Sequence, residues 1–302
     1  MVKNEFPVYD IYTLSGYTQQ DIQISRFAPY LQVHKNLHLP HKHNFYHLVL
    51  FTEGAGHHTI DFEQFGVRPW QVYFMIPGQV HSWAFEGPVD GYVINFSMPF
   101  LNSFLLVPDY LDQFLFFNGN AADSVIDIPV QAQPGIRHIM EQIIGESQNN
   151  QRLVADMVRA LMLQLFIGIS RINPKYQQQQ QSTAYNYTLL KNFRKLIEEN
   201  FTKLKLPKDY AALLYITPNH LNALCNDILG QPAGELIRNR VALEAKRLLI
   251  NFNLNITEVS YRLNFADNSY FSKFFKKQTG LSPEEFRKQI LKTTDHENNK
   301  LR

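Results

Sequence analysis

Histidines are the first residues whose types and spacing could support chemistry. His41 and His43 flank one lysine, His47 follows them, and His81 comes shortly after Gly78. Four imidazoles that converge could hold zinc, iron, nickel or copper. An ion held by three of them would keep an open coordination position, as catalytic metal sites do. The same rings could instead hydrogen-bond within a β-barrel, so their spacing leaves both alternatives open.

Basic residues form the second group, and they are concentrated toward the C-terminal end of the chain. Residues 1–185 hold 10 Lys/Arg and 15 Asp/Glu, whereas residues 186–302 hold 19 Lys/Arg and 12 Asp/Glu. An acidic half followed by a basic half is typical of a nucleic-acid-binding module joined to another domain. Charge alone also fits a merely soluble domain, because it reports non-specific attraction and not fold.

Composition indicates a globular protein in a reducing compartment. Hydrophobic residues make up 45% of the 302 residues, which is enough for a core in each of about two domains. Cys225 is the only cysteine, so an internal disulfide framework is excluded. The first ten residues lack a signal-peptide core, and no apolar stretch reaches about 18 residues. We therefore expect a cytoplasmic protein without a membrane partner.

The first part of the chain is predicted to be rich in β-strands. Short Val-, Ile-, Phe- and Tyr-rich segments alternate with turn residues between positions 20 and 130, which predicts an antiparallel barrel or sandwich. The predicted strands include residues 45–51, 56–61, 70–76 and 92–96. Residues 151–170 then follow a helical period, with a stripe formed by Val154, Val158, Leu161, Leu165 and Gly168. This stripe could pack on its own barrel or form a seam between two subunits.

The rest of the chain is predicted to be helical after a linker. Five consecutive glutamines at positions 177–181 cannot bury a face, so they indicate a linker. The predicted helices cover residues 189–200, 208–215, 218–229, 234–250, 257–263, 268–278 and 283–291. Their short connections favour a compact helical domain.

Two segments in this region share a helix-turn-helix plan. They cover residues 209–221 and 257–271, and a capping residue precedes the second helix of each, Thr217 in one and Asp267 in the other. The helix at 234–250 lies between the two segments and would set their separation. Two such helices on one rigid spacer could enter successive major grooves on one face of DNA, about 34 Å apart.

Residues around the second segment resemble the signature of the AraC/XylS family of transcription regulators. The resemblance is carried by residues 256–260, 263–277, 279–283 and 286–287. Further matches extend it to about residues 189–292: Arg240, Ala245, Leu248, Leu249, His220, Leu221 and Gly230. It implies an all-helical fold of two helix-turn-helix units, sequence-specific binding of double-stranded DNA, and a contact with RNA polymerase.

The resemblance also implies roles along the second recognition helix. The expected base-reading residues are Asn268, Ser269, Ser272 and Lys273. Lys276 and Lys277 are expected to contact phosphate, because lysine binds phosphate through its charge. The aromatic residues of this helix are expected to be core residues: Tyr270, Phe271, Phe274 and Phe275.

The first unit departs from the family pattern. The family usually has a basic residue where Ala223 and Asn226 stand and an aromatic residue where Cys225 stands. This recognition helix therefore has no lysine or arginine. The remaining candidates for DNA contact are Asn219, His220 and Asn222.

The histidine region resembles the two motifs of the cupin barrel, in the variant found in AraC-family sensor domains. In metal-binding cupins, the positions that match His41, His43 and His81 are ligands, and here His47 replaces the carboxylate ligand. Sensor domains of this kind usually keep such histidines without a metal, so we expect no metal and no cofactor. We expect a small effector instead, bound by His41, His43, Tyr46, His81, Trp83 and Tyr92. The remaining nearby histidines are expected to be solvated: His38, His57 and His58.

Together these patterns predict a multidomain α and β protein. A cupin-like β-barrel with flanking dimerisation helices covers residues 1–172, a Gln-rich linker 173–186, an all-α domain with two helix-turn-helix units 187–294, and a disordered tail 295–302. The predicted function is a DNA-binding transcription regulator, not an enzyme, that is modulated by a small-molecule effector and forms a homodimer through residues 151–170. Two rival hypotheses are a metal-dependent cupin enzyme fused to a DNA-binding module, and a constitutive DNA-binding protein whose barrel serves only assembly.

Overall fold

The computed structural model describes residues 7–11, 21–34, 39–105, 110–149, 151–173, 184–251 and 253–290. The chain divides into two compact units near residue 178. Most of the predicted linker and all of the predicted tail lie outside the described residues, so the predicted domain boundaries stay predictions.

The first unit contains two antiparallel-rich sheets of five strands each. The strands are β1 (Val8–Tyr9), β2 (Ile22–Arg26), β3 (His41–His43), β4 (Tyr46–Glu53), β5 (Gly56–Ile60), β6 (Glu63–Val67), β7 (Gln71–Met75), β8 (Val80–Phe85), β9 (Asp90–Phe96) and β10 (Val125–Asp127). One sheet has the order β1-β3-β8-β5-β6, and the other has the order β10-β7-β4-β9-β2. The predicted strands thus match β4, β5, β7 and β9 to within two residues at each end.

The second sheet is covered on both faces, which is why β4 is an almost continuous apolar run. Successive side chains of a strand point to opposite faces. On β4, Leu48 and Leu50 face a helical layer, whereas Val49 and Phe51 face the other sheet. The side chains between the sheets form a second core, and the histidines described below lie beside it.

One glycine allows the start of β5 to lie close to the backbone of β8. Gly56 begins β5 with a φ of +123°, and a Cβ at this position would lie 2.2 Å from the carbonyl oxygen of Ala84. Only glycine fits both the backbone angle and the close approach.

Three of the four described helices of this unit cover the outer face of the second sheet, and the first packs instead with the core between the sheets. The helices of this unit are α1 (Phe27–Val33), α2 (Met98–Asn102), α3 (Gln133–Ser147) and α4 (Val154–Ile172), with short 3-10 turns at Tyr110–Gln113, Leu115–Phe117, Ala121–Asp123 and Val130–Ala132. Val158 and Leu165 of α4 are 3% and 0% exposed in the core beneath α3 and α4. The predicted subunit seam is therefore wrong for these two residues, because their side chains are already packed inside their own unit.

The second unit is helical throughout its described residues. Its helices are α5 (Ala184–Asn200), α6 (Pro207–Leu213), α7 (Pro218–Leu229), α8 (Ala233–Leu249), α9 (Ile256–Arg262), α10 (Asn268–Thr279) and α11 (residues 283–290). None of the described helices in either unit is long and apolar enough to cross a membrane. The predicted helices all occur, with ends shifted by five residues at most, because apolar periodicity locates helices better than it locates their ends.

Capping explains where the recognition helices begin. The Thr217 side chain accepts a hydrogen bond from the backbone N–H of His220 at 3.1 Å, and Asp267 accepts one from Tyr270 at 2.7 Å. Both predicted caps are confirmed. The sequence interpretation missed Asn255, which forms a reciprocal capping box with Glu258 and starts α9 one residue earlier than predicted.

Candidate functional site

Helix α7 presents a polar face that carries no positive charge. Asn219 and His220 are exposed at its first turn, as a DNA-reading position requires. Asn222 is only partly exposed. Its Oδ1 accepts a hydrogen bond from the backbone N–H of Ala233 at 3.1 Å, and this bond caps the start of α8. The structure adds Asn226, which is exposed and lies seven residues after Asn219 on the same face; this spacing could have identified it from sequence.

Helix α10 separates a buried face from an exposed polar face. Phe271 and Phe275 are fully buried, and Phe274 is partly buried against Phe265, with ring centroids 5.1 Å apart. Most of the predicted contact residues lie on the exposed face: Asn268, Ser269, Ser272, Lys273 and Lys276. Ser272 is partly buried, the others are exposed, and Lys277 is exposed at the rim of this face. The structure therefore brings the predicted base-reading and phosphate-binding residues together on one surface.

Tyr270 corrects the prediction that all four aromatic residues of α10 are core. Its side chain is 62% exposed. Phe271 and Phe275 are four residues apart, so they lie on the same, buried face of α10. Tyr270 comes one residue before Phe271, and a step of one residue turns a side chain by about 100° around a helix. Tyr270 therefore points away from the buried face.

Charged hydrogen bonds hold the two helix-turn-helix units in place. Lys205, in the segment before α6, donates from Nζ to the carbonyl oxygens of Leu263 and Asn264 at 2.7 and 2.8 Å. Its Nζ also lies 3.9 Å from the ring centre of Phe265. Burial lowers the pKa of Lys205, but its charged form is stabilised by these two carbonyls and the ring. Lys205 therefore joins the first unit to the turn of the second.

Arg240 and Arg287 also use their charge in hydrogen bonds inside the helical unit. Arg240 of α8 donates to Glu198 at 2.8 Å and to Glu244 at 3.0 Å and lies over the ring of Phe201. Arg287 of α11 donates to the carbonyl oxygen of Leu249, at the end of α8, at 2.9 Å. These cations are used inside the unit, so the excess basic charge that faces outward is smaller than the sequence count suggests.

The first unit contains a buried group of histidines between its two sheets. His41 on β3 pairs with His81 on β8, and their ring centroids are 4.1 Å apart. His43 Nε2 lies 3.2 Å from His41 Nε2 and 2.7 Å from His81 Nε2. All three side chains are at most 3% exposed. The structure thus brings together three of the residues that the sequence indicated.

His47 belongs to the opposite sheet and has a different partner. Its ring stacks on His43 with centroids 5.0 Å apart, while its Nδ1 lies 2.5 Å from Asn95 Oδ1 on β9. Burial lowers the pKa of His47 to about 3, although the hydrogen bond to Asn95 opposes that shift. His47 is therefore a neutral ring that is oriented by a buried amide.

His58 corrects the prediction that it is solvated. On β5, His57 faces solvent, and His58 is fully buried with Nε2 3.1 Å from His81 Nδ1. Adjacent residues of a strand point to opposite faces, so one of the two histidines must be buried. Both positions hold the same residue type, so the alternation of polar and apolar residues does not tell which one it is. His57 is exposed, as predicted, and His38 lies outside the described residues.

A buried turn positions His81. Asp61 accepts hydrogen bonds from Gln79 Nε2 at 2.8 Å and from the backbone N–H of Val80 at 3.2 Å. Gln79 Oε1 in turn accepts a hydrogen bond from the backbone N–H of Ile76 at 2.9 Å. These bonds fix the start of β8 and hence the direction of the His81 ring.

The structure separates the predicted effector-binding aromatics into two groups. Trp83 lies among the histidines, with its ring centroid 5.0 Å from that of His81. Tyr46 and Tyr92 instead belong to the core on the outer face of the second sheet. The Tyr92 hydroxyl donates to Glu141 at 2.6 Å. Strand parity places both tyrosines on the face opposite to His47, so they do not line a site with His43 and His81.

Several polar atoms between the sheets find no hydrogen-bond partner among the described residues. They are His43 Nδ1, His47 Nε2, His58 Nδ1 and Trp83 Nε1. Burial also lowers the pKa of His43, His58 and His81, so these rings are neutral near neutral pH. Each unpartnered buried atom costs about 1–3 kcal/mol, and a bound polar ligand could offset this cost.

Comparisons with known proteins give matches in both units. Residues 27–166 match the family described as AraC-like ligand binding domain, and residues 210–289 match a helix-turn-helix domain family. These ranges contain the buried histidines and both recognition helices.

Three relatives are named as transcription regulators. The uncharacterized HTH-type transcriptional regulator YijO of Escherichia coli K12 is 30% identical over 109 residues, 36% of this chain and 38% of YijO, so the match spans well under half of that relative. The HTH-type transcriptional activator RhaR of Cronobacter sakazakii is 23% identical over 258 residues, 84% of this chain and 88% of RhaR. The HTH-type transcriptional activator AarP of Providencia stuartii is 30% identical over 105 residues, 35% of this chain and 78% of AarP. With both family matches and these relatives, the chain belongs to the AraC/XylS family of transcription regulators.

Proposed function

We propose that this protein regulates transcription by binding a two-part DNA site with α7 and α10. One observation carries the proposal: two recognition helices, each begun by a side-chain cap, expose polar residues and are held by the same helix, α8. Helix α10 supplies most of the phosphate attraction, because its exposed face has three lysines and that of α7 has no lysine or arginine. The protein acts in the cytoplasm, contacts RNA polymerase as the family resemblance implies, and has no enzymatic activity of its own.

Selection of DNA from a random pool tests this proposal. The full chain is titrated with salt against random duplexes, and the tightest binders are sequenced. We expect enrichment of two elements about one helical turn apart. Weak binding without enrichment, lost at moderate salt, would mean that the basic unit attracts DNA only through charge.

We also propose that a small polar molecule binds among the histidines and Trp83 and changes DNA binding. The unpartnered nitrogens supply donors and acceptors, and the aromatic rings supply an apolar wall. Such an effector must bind two arrangements of the protein with different affinities in order to shift between them. His41, His43, His81 and Trp83 are the proposed contacts, and we leave out Tyr46 and Tyr92 because they pack on the other face of the sheet.

Tryptophan fluorescence tests the effector proposal directly. Trp70 and Trp83 are the only tryptophans, so a Trp70→Phe variant reports on Trp83 alone. A metabolite panel is added to this variant, and DNA affinity is measured in parallel. A compound that changes Trp83 emission should also change DNA affinity; unchanged DNA affinity across all such compounds would favour the constitutive DNA-binding hypothesis.

We propose a homodimer through the outer surface of α4 instead of its buried stripe. Leu153, just before this helix, and Met157 on it are 70% and 51% exposed, and Leu161 is partly exposed one turn later. A Met157→Asp or Leu161→Asp variant should sediment as a monomer. Ala155→Asp, exposed on another face of α4, is the control. Dimers that persist in both the Met157→Asp and the Leu161→Asp variant would remove this surface from consideration.

A further inference from the structure

Three imidazole nitrogens converge in the space between the sheets. The ligand atoms of His41, His43 and His81 all lie within 4.8 Å of one another. Nitrogens on a tetrahedral metal ion, bound at about 2.0–2.1 Å, lie about 3.3 Å apart. The 3.2 Å separation of His41 Nε2 and His43 Nε2 agrees with this spacing. The 2.7 Å separation of His43 Nε2 and His81 Nε2 would open by about 0.6 Å around an ion.

The proton on His41 is placed by its backbone partner. His41 Nδ1 lies 2.6 Å from the carbonyl oxygen of Leu39. A carbonyl oxygen only accepts, so Nδ1 carries the hydrogen and Nε2 directs a lone pair at the other two rings. A backbone carbonyl that holds the far nitrogen is the usual support of a metal-bound histidine.

His58 gives His81 an equivalent support. His58 Nε2 lies 3.1 Å from His81 Nδ1, on the side of the ring away from His43. When His81 donates from Nδ1 to His58, its Nε2 lone pair also points into the cluster. His58 is fully buried and lies behind the three converging rings, so it orients a ligand without being one.

Hydrogen bonds alone satisfy this cluster poorly. His43 Nε2 can carry one hydrogen, yet it faces the lone pairs of both His41 and His81. A single ion would satisfy all three lone pairs at once. All three rings are buried, and a set of three imidazoles suits zinc, cobalt, nickel, copper or iron.

We propose that His41, His43 and His81 bind one divalent transition-metal ion through their Nε2 atoms, and that His58 positions His81 for it. This reverses the expectation from sequence that the unit holds no metal. His47 is outside the proposed ligand set, because only His41, His43 and His81 bring their ligand atoms within 4.8 Å of one another. Three protein ligands leave a position for water or for an oxygen atom of a small molecule.

Cobalt and zinc titrations of the full-length chain test the proposal. The protein is stripped of metal with a chelator and titrated with Co²⁺. The cobalt-loaded protein is then titrated with Zn²⁺. We expect one equivalent of Co²⁺ to bind, with the visible absorption of nitrogen-ligated cobalt, and Zn²⁺ to displace it. His81→Gln should lose binding more than 100-fold, and His58→Leu should weaken it about 10–100-fold with the stoichiometry unchanged.

His57→Leu is the matched control, because His57 is the exposed neighbour of His58 on the same strand. Its cobalt affinity should equal that of the unchanged protein. Far-UV circular dichroism confirms folding of each variant, and His41→Gln replaces His81→Gln if the latter is unfolded. The metal site is overturned if the unchanged protein binds less than one equivalent, or if the folded ligand variant binds as tightly. Equal losses of cobalt affinity in His57→Leu and His58→Leu would overturn the role of His58 in positioning His81. DNA selection is a separate measurement, so failure here leaves the proposed regulatory function standing.

Discussion

Lys205 is bonded to the end of helix α9, where its Nζ donates to the carbonyl oxygen of Leu263 at 2.7 Å. These residues are 58 positions apart: Lys205 precedes the first helix-turn-helix unit, and Leu263 lies in the turn of the second. A helix C-terminus carries partial negative charge and unpaired carbonyls, so a lysine there is both a cap and a favourable charge. This bond therefore adds to the packing on α8 a second link between the two helix-turn-helix units.

Replacing Lys205 with Met should loosen the junction between the two units. The aliphatic stem is retained, but two carbonyls lose a charged donor, which costs about 1–3 kcal/mol in unfolding free energy. Binding to a two-part DNA site should weaken more than binding to either half. Lys208→Met removes an exposed charge three residues away and is the control. If both variants lose DNA affinity equally, the bond has no positioning role.

Lys273 and Lys276 should differ in how they affect DNA binding. Lys273→Ala should lower affinity for the selected site and change base preference, because Lys273 is expected to contact base edges. Lys276→Ala should weaken all sequences similarly and reduce the salt slope by about one unit. Salt titrations on selected and random DNA measure both effects. Identical behaviour of the two variants on both kinds of DNA would contradict the assignment.

Asn222 and Asn219 should separate stability from DNA recognition. Asn222→Ala removes the bond to the backbone N–H of Ala233 and should cost about 0.5–2 kcal/mol, as the loss of a helix cap does. Asn219→Ala should leave the melting temperature unchanged and lower DNA affinity, because its side chain is exposed. Thermal unfolding and DNA titration of both variants provide the measurements. An unchanged melting temperature in Asn222→Ala would show that this cap contributes nothing to the free energy of unfolding.

Cys225 should be unreactive in the folded protein. Its side chain is fully buried among the core residues of α7, and burial raises the pKa of its thiol to about 11. Only the thiolate reacts quickly with disulfide reagents. Because Cys225 is the only cysteine, such a reagent should label the chain only as the second unit unfolds. Rapid labelling of the native protein, with the denatured protein as the reference, would disprove the burial of this thiol.

The helical unit could be predicted from sequence almost completely, and the reason is local. Thr217 and Asp267 bond to backbone groups three residues ahead, so their positions alone mark where α7 and α10 begin. The apolar period likewise identifies Phe271 and Phe275 as buried. Tyr270 is the exception, because its aromatic character predicts a core residue but its place in the helical period puts it on the exposed face.

The histidine site depended on tertiary structure because its contacts join distant strands. His41 meets His81 only through the register of β3 with β8, and His58 meets His81 only through β5 with β8. Strand β4 is buried on both faces, so its sequence shows no contrast that would separate Tyr46 from His47. Residue types and local capping patterns are enough to identify the kinds of chemical group present and the two recognition helices. Only the pairing of strands decided which imidazoles converge, because a shift of one residue exchanges the two faces.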